Sequence, residues 1–130
     1  MKAKVLMIGD WASLFQGNPD GTNCNVQVTF VGEYGEVGIE GCEEYTSANC
    51  NLLFPIPLTP EILEKNGWSK DLYNNESYDN DDFEQLSLWE GADGNAWWWH
   101  VGVELVVPLN FVHELQHALR LCGINKEIEI

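Results

Sequence analysis

Residues 54–68, FPIPLTPEILEKNGW, carry the densest local punctuation in the chain and constrain its fold most. Pro55 and Pro57 each bias the preceding residue away from helix, so the approach is extended. Thr59 is a side-chain cap, Pro60 fits the first helical position, and Glu61 complements the positive helix end. Ile62 and Leu63 supply apolar contacts. Asn66-Gly67 then stops the helix through a left-handed residue, after which Trp68 can fold back onto Leu63. The stretch predicts one short docking helix without chemistry of its own, and it separates two differently patterned halves.

The half before it reads as β. Residues 5–15 are apolar around Gly9-Asp10-Trp11, and GNPDGTN is rich in turn formers. In NVQVTFVGEY, Val26, Val28 and Phe30 alternate with polar neighbours and are expected on one face. Gly35-Glu36 turns the chain into VGIEG, where Val37 and Ile39 share a face. Three short antiparallel strands of this kind suit a small SH3-like half-barrel or curled sheet, with Trp11 in its core or at its rim.

Beyond Trp68, residues 69–82 (SKDLYNNESYDNDD) read as an acidic, solvated loop. Asp79, Asp81 and Asp82 lack the glycine and terminal glutamate of an EF-hand calcium loop. FEQLSLWEGADGNAWWWHVGVELVV then reads as a hairpin turning at Gly91, Asp93, Gly94 and Asn95. Its second strand is expected to place Trp97, Trp99, Val101, Val103 and Leu105 on one face and Trp98, His100 and Glu104 on the other. Successive tryptophans must occupy both sides of a sheet. An open outer face would make Trp98 and His100 a ligand or partner contact, whereas a loop or the short helix covering it would make them packing residues.

Pro108 to Cys122 reads as a helix, with Asn110 as cap and Gly123 as stop. Val112, Leu115, Leu119 and Cys122 form an apolar stripe that Phe111 and Ala118 widen; it is expected to pack on the hairpin sheet. The opposite side spells H-E-x-x-H. His113 and His117 lie one turn apart, as two zinc ligands would, and Glu114 has the position of a base for a bound water. Against that chemistry, ALRLCGINKEIEI offers no H-x-x-G-x-x-H continuation, because Arg120 stands where the glycine belongs. Glu127 and Glu129 lie past Gly123 in an expected terminal strand. A catalytic zinc needs a third protein ligand, and a solvent-side histidine pair on a packing helix is the simpler reading. No cofactor is expected.

Charge narrows the function further. Six Lys and Arg against 21 Asp and Glu leave a formal net charge of −15. That balance opposes direct nucleic-acid binding and anionic membrane surfaces, and suits a basic protein partner. The 130 residues, 45% of them hydrophobic, suffice for a single compact α+β domain spanning 1–130. The first residues form neither a secretory core nor a membrane span, so the expected location is cytoplasmic. Cys24, Cys42, Cys50 and Cys122 show no C-x-x-C pairing and are read as free thiols.

PIPLTPEILEKNGW and FVHELQHALRLCGINKEIEI, with IGDWA near the start, resemble a family of small proteins of unknown function from gut anaerobic bacteria and their prophages or mobile elements. The resemblance covers residues 6–12, 55–68 and 109–130. The family pattern does not demand the second histidine or the glutamate at 114, so the resemblance implies that His117 completes the zinc-peptidase string by local variation. It implies one compact α+β unit and a phage- or mobile-element-associated role, and no catalytic residues carry over. The expectation is therefore a non-enzymatic protein-binding module that contacts its partner through Trp98 and His100. The alternatives are a zinc hydrolase using His113, His117 and Glu114, and an acidic nucleic-acid mimic that blocks a DNA-binding protein.

Overall fold

The computed structural model describes residues 5–14, 24–71, 77–82, 86–90, 97–101 and 105–130; within 86–90, 97–101 and 105–107 it describes backbone pairing but, Leu88 apart, not side chains. The fold is α+β, and the chain divides into two compact units, 1–56 and 57–130.

In the first unit, strands β1 (Trp11–Leu14), β2 (Cys24–Val31), β3 (Glu36–Glu40), β4 (Ser47–Asn49) and β5 (Leu53–Phe54) form an antiparallel sheet of order β4-β3-β2-β1-β5. Ala12, Leu14, Val26, Val28, Val37 and Ile39 are buried together on one face, with Leu53 and Cys50 joining them. Trp11 is half-buried at the start of β1. Gly9 and Asp10 tie the preceding turn to β2: Gly9 N–H donates to the Val28 carbonyl at 2.6 Å, and Val28 N–H donates to the Asp10 carbonyl at 2.9 Å. The Asp10 carboxylate is fully buried and accepts the Met7 N–H at 2.8 Å.

The alternation expected through Val26, Val28 and Phe30 fails at its last member. Val28 pairs with Ile39 but Phe30 pairs with Gly38, so β2 advances two residues while β3 advances one, and Thr29 is the extra residue of a bulge. A bulge reverses the facing of everything beyond it. Val31 therefore packs against the core, and Phe30 is exposed. Gly38 makes room, because a Cβ there would lie 2.7 Å from Thr29 Oγ1 and 3.0 Å from Phe30 Cβ.

The second unit opens with α1 (Pro60–Lys65). Thr59 Oγ1 accepts the Ile62 N–H at 3.3 Å, and Gly67 takes φ +94° after the helix. Asn66 itself is not left-handed, its φ being −102°. Leu63 and Trp68 are both buried, as the punctuation predicts. Then β6 (Trp68–Lys70), β7 (Ser77–Asn80), β8 (Leu86–Glu90), β9 (Trp97–Val101) and β10 (Leu105–Leu109) pair antiparallel in chain order as a meander. Helix α2 (Val112–Leu121) packs on β10.

Three expectations change here. Residues 69–82 are not all loop, since β6 and β7 are a paired hairpin within them. The long strand expected from Trp97 through Leu105 is two strands, β9 and β10, paired with each other. Pro108 does not begin the last helix but lies in β10, the edge strand, where a missing N–H costs no ladder bond to an outer neighbour.

Residues 124–130 form no strand. They are held instead by Asn66, whose Nδ2 donates to the Ile62 and Glu129 carbonyls, each at 2.7 Å, while its Oδ1 accepts the Glu129 N–H at 2.8 Å. One side-chain amide thus pairs with both backbone groups of Glu129, as a strand neighbour would, and Ile128 is buried beside it.

Candidate functional site

Helix α2 positions the H-E-x-x-H residues. Its N-cap is Phe111 rather than Asn110. Glu114 Oε1 accepts the N–H groups of both Asn110 and Phe111 at 3.1 Å, reaching back to satisfy donors at the helix start. Hydrophobicity elsewhere in the motif decides the burial. Val112, Leu115 and Leu119 are buried as predicted, but the buried arc also takes in His113 and Gln116, whereas Cys122 is exposed past the helix end.

His113 is accordingly not a solvent-side residue. It is 8% exposed, and its ring stacks on Phe111 with centroids 5.9 Å apart and planes 11° from parallel. His117 is half-buried and meets His113 edge-on, centroids 5.6 Å apart and planes at 77°. Helical spacing does bring the two imidazoles together. Among the described residues, however, no group of three or more His, Cys, Asp and Glu could hold a metal ion. The carboxylate that would serve a zinc-bound water is engaged at the helix cap. The described donor set does not fit a catalytic zinc.

The backbones of Trp98 and His100 lie on β9 inside the sheet, Trp98 between Trp89 and Pro108 and His100 between Ser87 and Val106. Their side chains, the Gly91–Asn95 turn and Glu104 lie outside the described residues. Asp79 belongs to β7, and Asp81 and Asp82 are exposed in the turn after it. Burial, then a side-chain hydrogen bond with Asp71 and its charge, push the Asp79 carboxyl above the usual range.

The surface that sequence reasoning missed is the hairpin of β2 and β3. Phe30 is 54% exposed and Tyr34, at the turn, 92%. The Phe30 ring lies across Gly32, where a Cβ would be 3.3 Å from Phe30 Cε1 and 3.4 Å from Glu36 Cβ. A side chain at Gly32 would crowd the ring and the Glu36 carbonyl oxygen, 3.0 Å away, and both would have to give. Glu33, Glu36 and Glu40 are exposed on the same hairpin. The available signal was Gly38 between the β-branched Val37 and Ile39 of one strand, which marks a bulge or a close approach opposite it. Comparison with family models, with curated proteins and with solved structures finds no match to this chain.

Proposed function

We propose that this chain is a non-enzymatic, cytoplasmic protein-binding module of phage or mobile-element origin, whose partner presents a basic surface to the β2–β3 hairpin. The observation that carries the reading is Phe30. It is a large apolar ring turned outward by a bulge and seated on Gly32, beside exposed glutamates. A ring already held in place loses little freedom on binding, which favours its use as an anchor. The glutamates, within a net charge of −15, would speed encounter with a cationic partner and contribute less to its retention. Trp98 and His100 sit on a strand paired on both sides, so in this reading they contribute through side chains alone. The zinc-hydrolase alternative is disfavoured by the capping role of Glu114 and the stacking of His113.

Capture of partners from host lysate tests the proposal with four baits: the native chain, Phe30→Ala, Tyr34→Ala and Trp98→Ala. Capture that persists in high salt and is lost with Phe30→Ala supports it. Loss only with Trp98→Ala moves the contact to β9. Capture that collapses with salt and ignores all three substitutions indicates a nucleic-acid mimic. Stoichiometric zinc in protein purified without chelator, lost on His117→Ala, would replace the proposal with the hydrolytic one.

A further inference from the structure

Cys24 opens β2, and Cys42 follows β3 by two positions. Counting outward from the Gln27↔Glu40 pair sets Cys42 across from Asn25, one place away from Cys24, and regular alternation would put the two thiols on opposite faces. Gly41 breaks that alternation. Its φ is +107°, and a Cβ there would lie 3.0 Å from the Asn25 carbonyl oxygen, so the chain crosses β2 closely at a residue with no side chain. Cys42 is thereby turned back to the core face, where it and Cys24 pack against the same buried cluster. The Cys24 thiol donates at 3.8 Å to the carbonyl of Gly41, the residue next to Cys42. Both cysteines are half-buried, whereas Cys50 is buried and Cys122 exposed.

We propose that Cys24 and Cys42 are a modification site: an oxidisable thiol pair that closes to an intramolecular disulfide on reaction with a small, neutral hydroperoxide. One sulfur attacks a peroxide oxygen as thiolate, the O–O bond breaks, and a sulfenic acid and water form. The second sulfur then displaces the sulfenic oxygen, which leaves as water. In sum, two thiols and one hydrogen peroxide give one disulfide and two waters; the sulfurs lose two electrons and the peroxide gains them. Charge selects the oxidant. Glu43 and Glu44 are exposed beside the pair, and the net charge is −15, so an anionic low-molecular-weight disulfide is repelled while a neutral peroxide is not. The hydrogen bond with Cys42 first, then burial and the charges of Cys42 and Glu44, push the Cys24 thiol up. The pair is therefore a slow responder at neutral pH, and its closure accelerates by roughly tenfold per pH unit below the pKa of the attacking thiol.

The test treats the reduced full chain, freed of reductant, with hydrogen peroxide alone, then unfolds it, alkylates it and maps the peptides. Closure removes two hydrogen masses and leaves two of the four cysteines open to alkylation. It joins the Cys24 peptide to the Cys42 peptide and is reversed by dithiothreitol. Cys122→Ser and Cys50→Ser retain it, while Cys24→Ser and Cys42→Ser each abolish it. Oxygen added at Cys122 while Cys24 and Cys42 both remain alkylatable overturns the proposal, as does a bond joining either one to Cys50 or Cys122. Should the Cys24 or Cys42 variant fail to fold, mapping of the native chain and of Cys122→Ser decides between the same outcomes.

Discussion

Individual residues here act through the space and the hydrogen bonds they supply. Gly38 is needed because the Thr29 bulge presses against it, with Oγ1 2.7 Å from where a Cβ would stand. Gly38→Val should destabilise the chain by about 1–3 kcal/mol in urea unfolding, the usual cost of overpacking a site that cannot yield. Asn66 ties down residues 124–130 through its bonds to both backbone groups of Glu129. Asn66→Ala should cost about 1–3 kcal/mol, because the partly buried backbone groups of Ile62 and Glu129 lose their partner. Hydrogen exchange should show the Glu129 amide losing protection while the Val28 amide keeps it. Glu114 holds two N–H groups at the start of α2, so Glu114→Ala should cost about 0.5–2 kcal/mol, a loss typical of helix caps. A zinc-peptidase base replaced by alanine would show its effect in activity instead of stability, so the two roles separate in one variant.

At the level of elements, the β6–β7 hairpin carries a pH-dependent term. Asp79 lies on β7, opposite Ser69, and shares a side-chain hydrogen bond with Asp71. Its carboxyl is raised in the folded chain, so the folded state holds that proton more firmly than the unfolded state does. The stabilisation is complete below the ordinary aspartate pKa and is lost as pH rises through the elevated folded value, above which two facing carboxylates repel. Asp79→Asn should raise the Tm at neutral pH relative to the native chain, with the difference shrinking as pH falls toward the ordinary carboxylate range. A difference that is constant with pH would mean the aspartate pair is not what titrates. The same hairpin shows how an acidic stretch still forms strands. Ser77, Tyr78 and Asn80 are buried, and Asn80 Nδ2 donates to the Asn66 carbonyl at 3.2 Å, so a composition that reads as solvated loop has a paired, half-covered backbone.

For the molecule as a whole, the dominant quantity is charge. Glu33, Glu36, Glu40, Glu43 and Glu44 are exposed in the first unit, and Glu61, Glu64, Asp81, Asp82, Glu127 and Glu129 in the second. Self-repulsion of this kind weakens the compact state and is screened by salt. Raising NaCl from about 0.02 to about 0.5 M should therefore raise the Tm, with most of the gain complete once the Debye length falls below roughly 8 Å. A flat or falling Tm across that range would show that the carboxylates are already compensated. No helix among the described residues is long and apolar enough to cross a membrane.

Local order was legible wherever chemistry between near neighbours dictates it. Thr59, Pro60 and Gly67 bound α1 because capping, a preset φ and a positive φ are properties of single residues. The stripe of Val112, Leu115 and Leu119 marked the buried side of α2 because helical period alone places it. Tertiary structure decided what depends on residues distant in the chain. The bulge that turns Phe30 outward exists only in register with Gly38 on the next strand. Pro108 could begin a helix or sit in a strand until β10 became a sheet edge. His113 spelled a metal ligand within its own turn, but only the folded chain shows its ring stacked on Phe111 and Glu114 bonded to the backbone at the helix start. The physical reason is common to all three: local propensities are settled over a few residues, whereas burial, register and ligand count are set by partners that only the folded chain brings within reach.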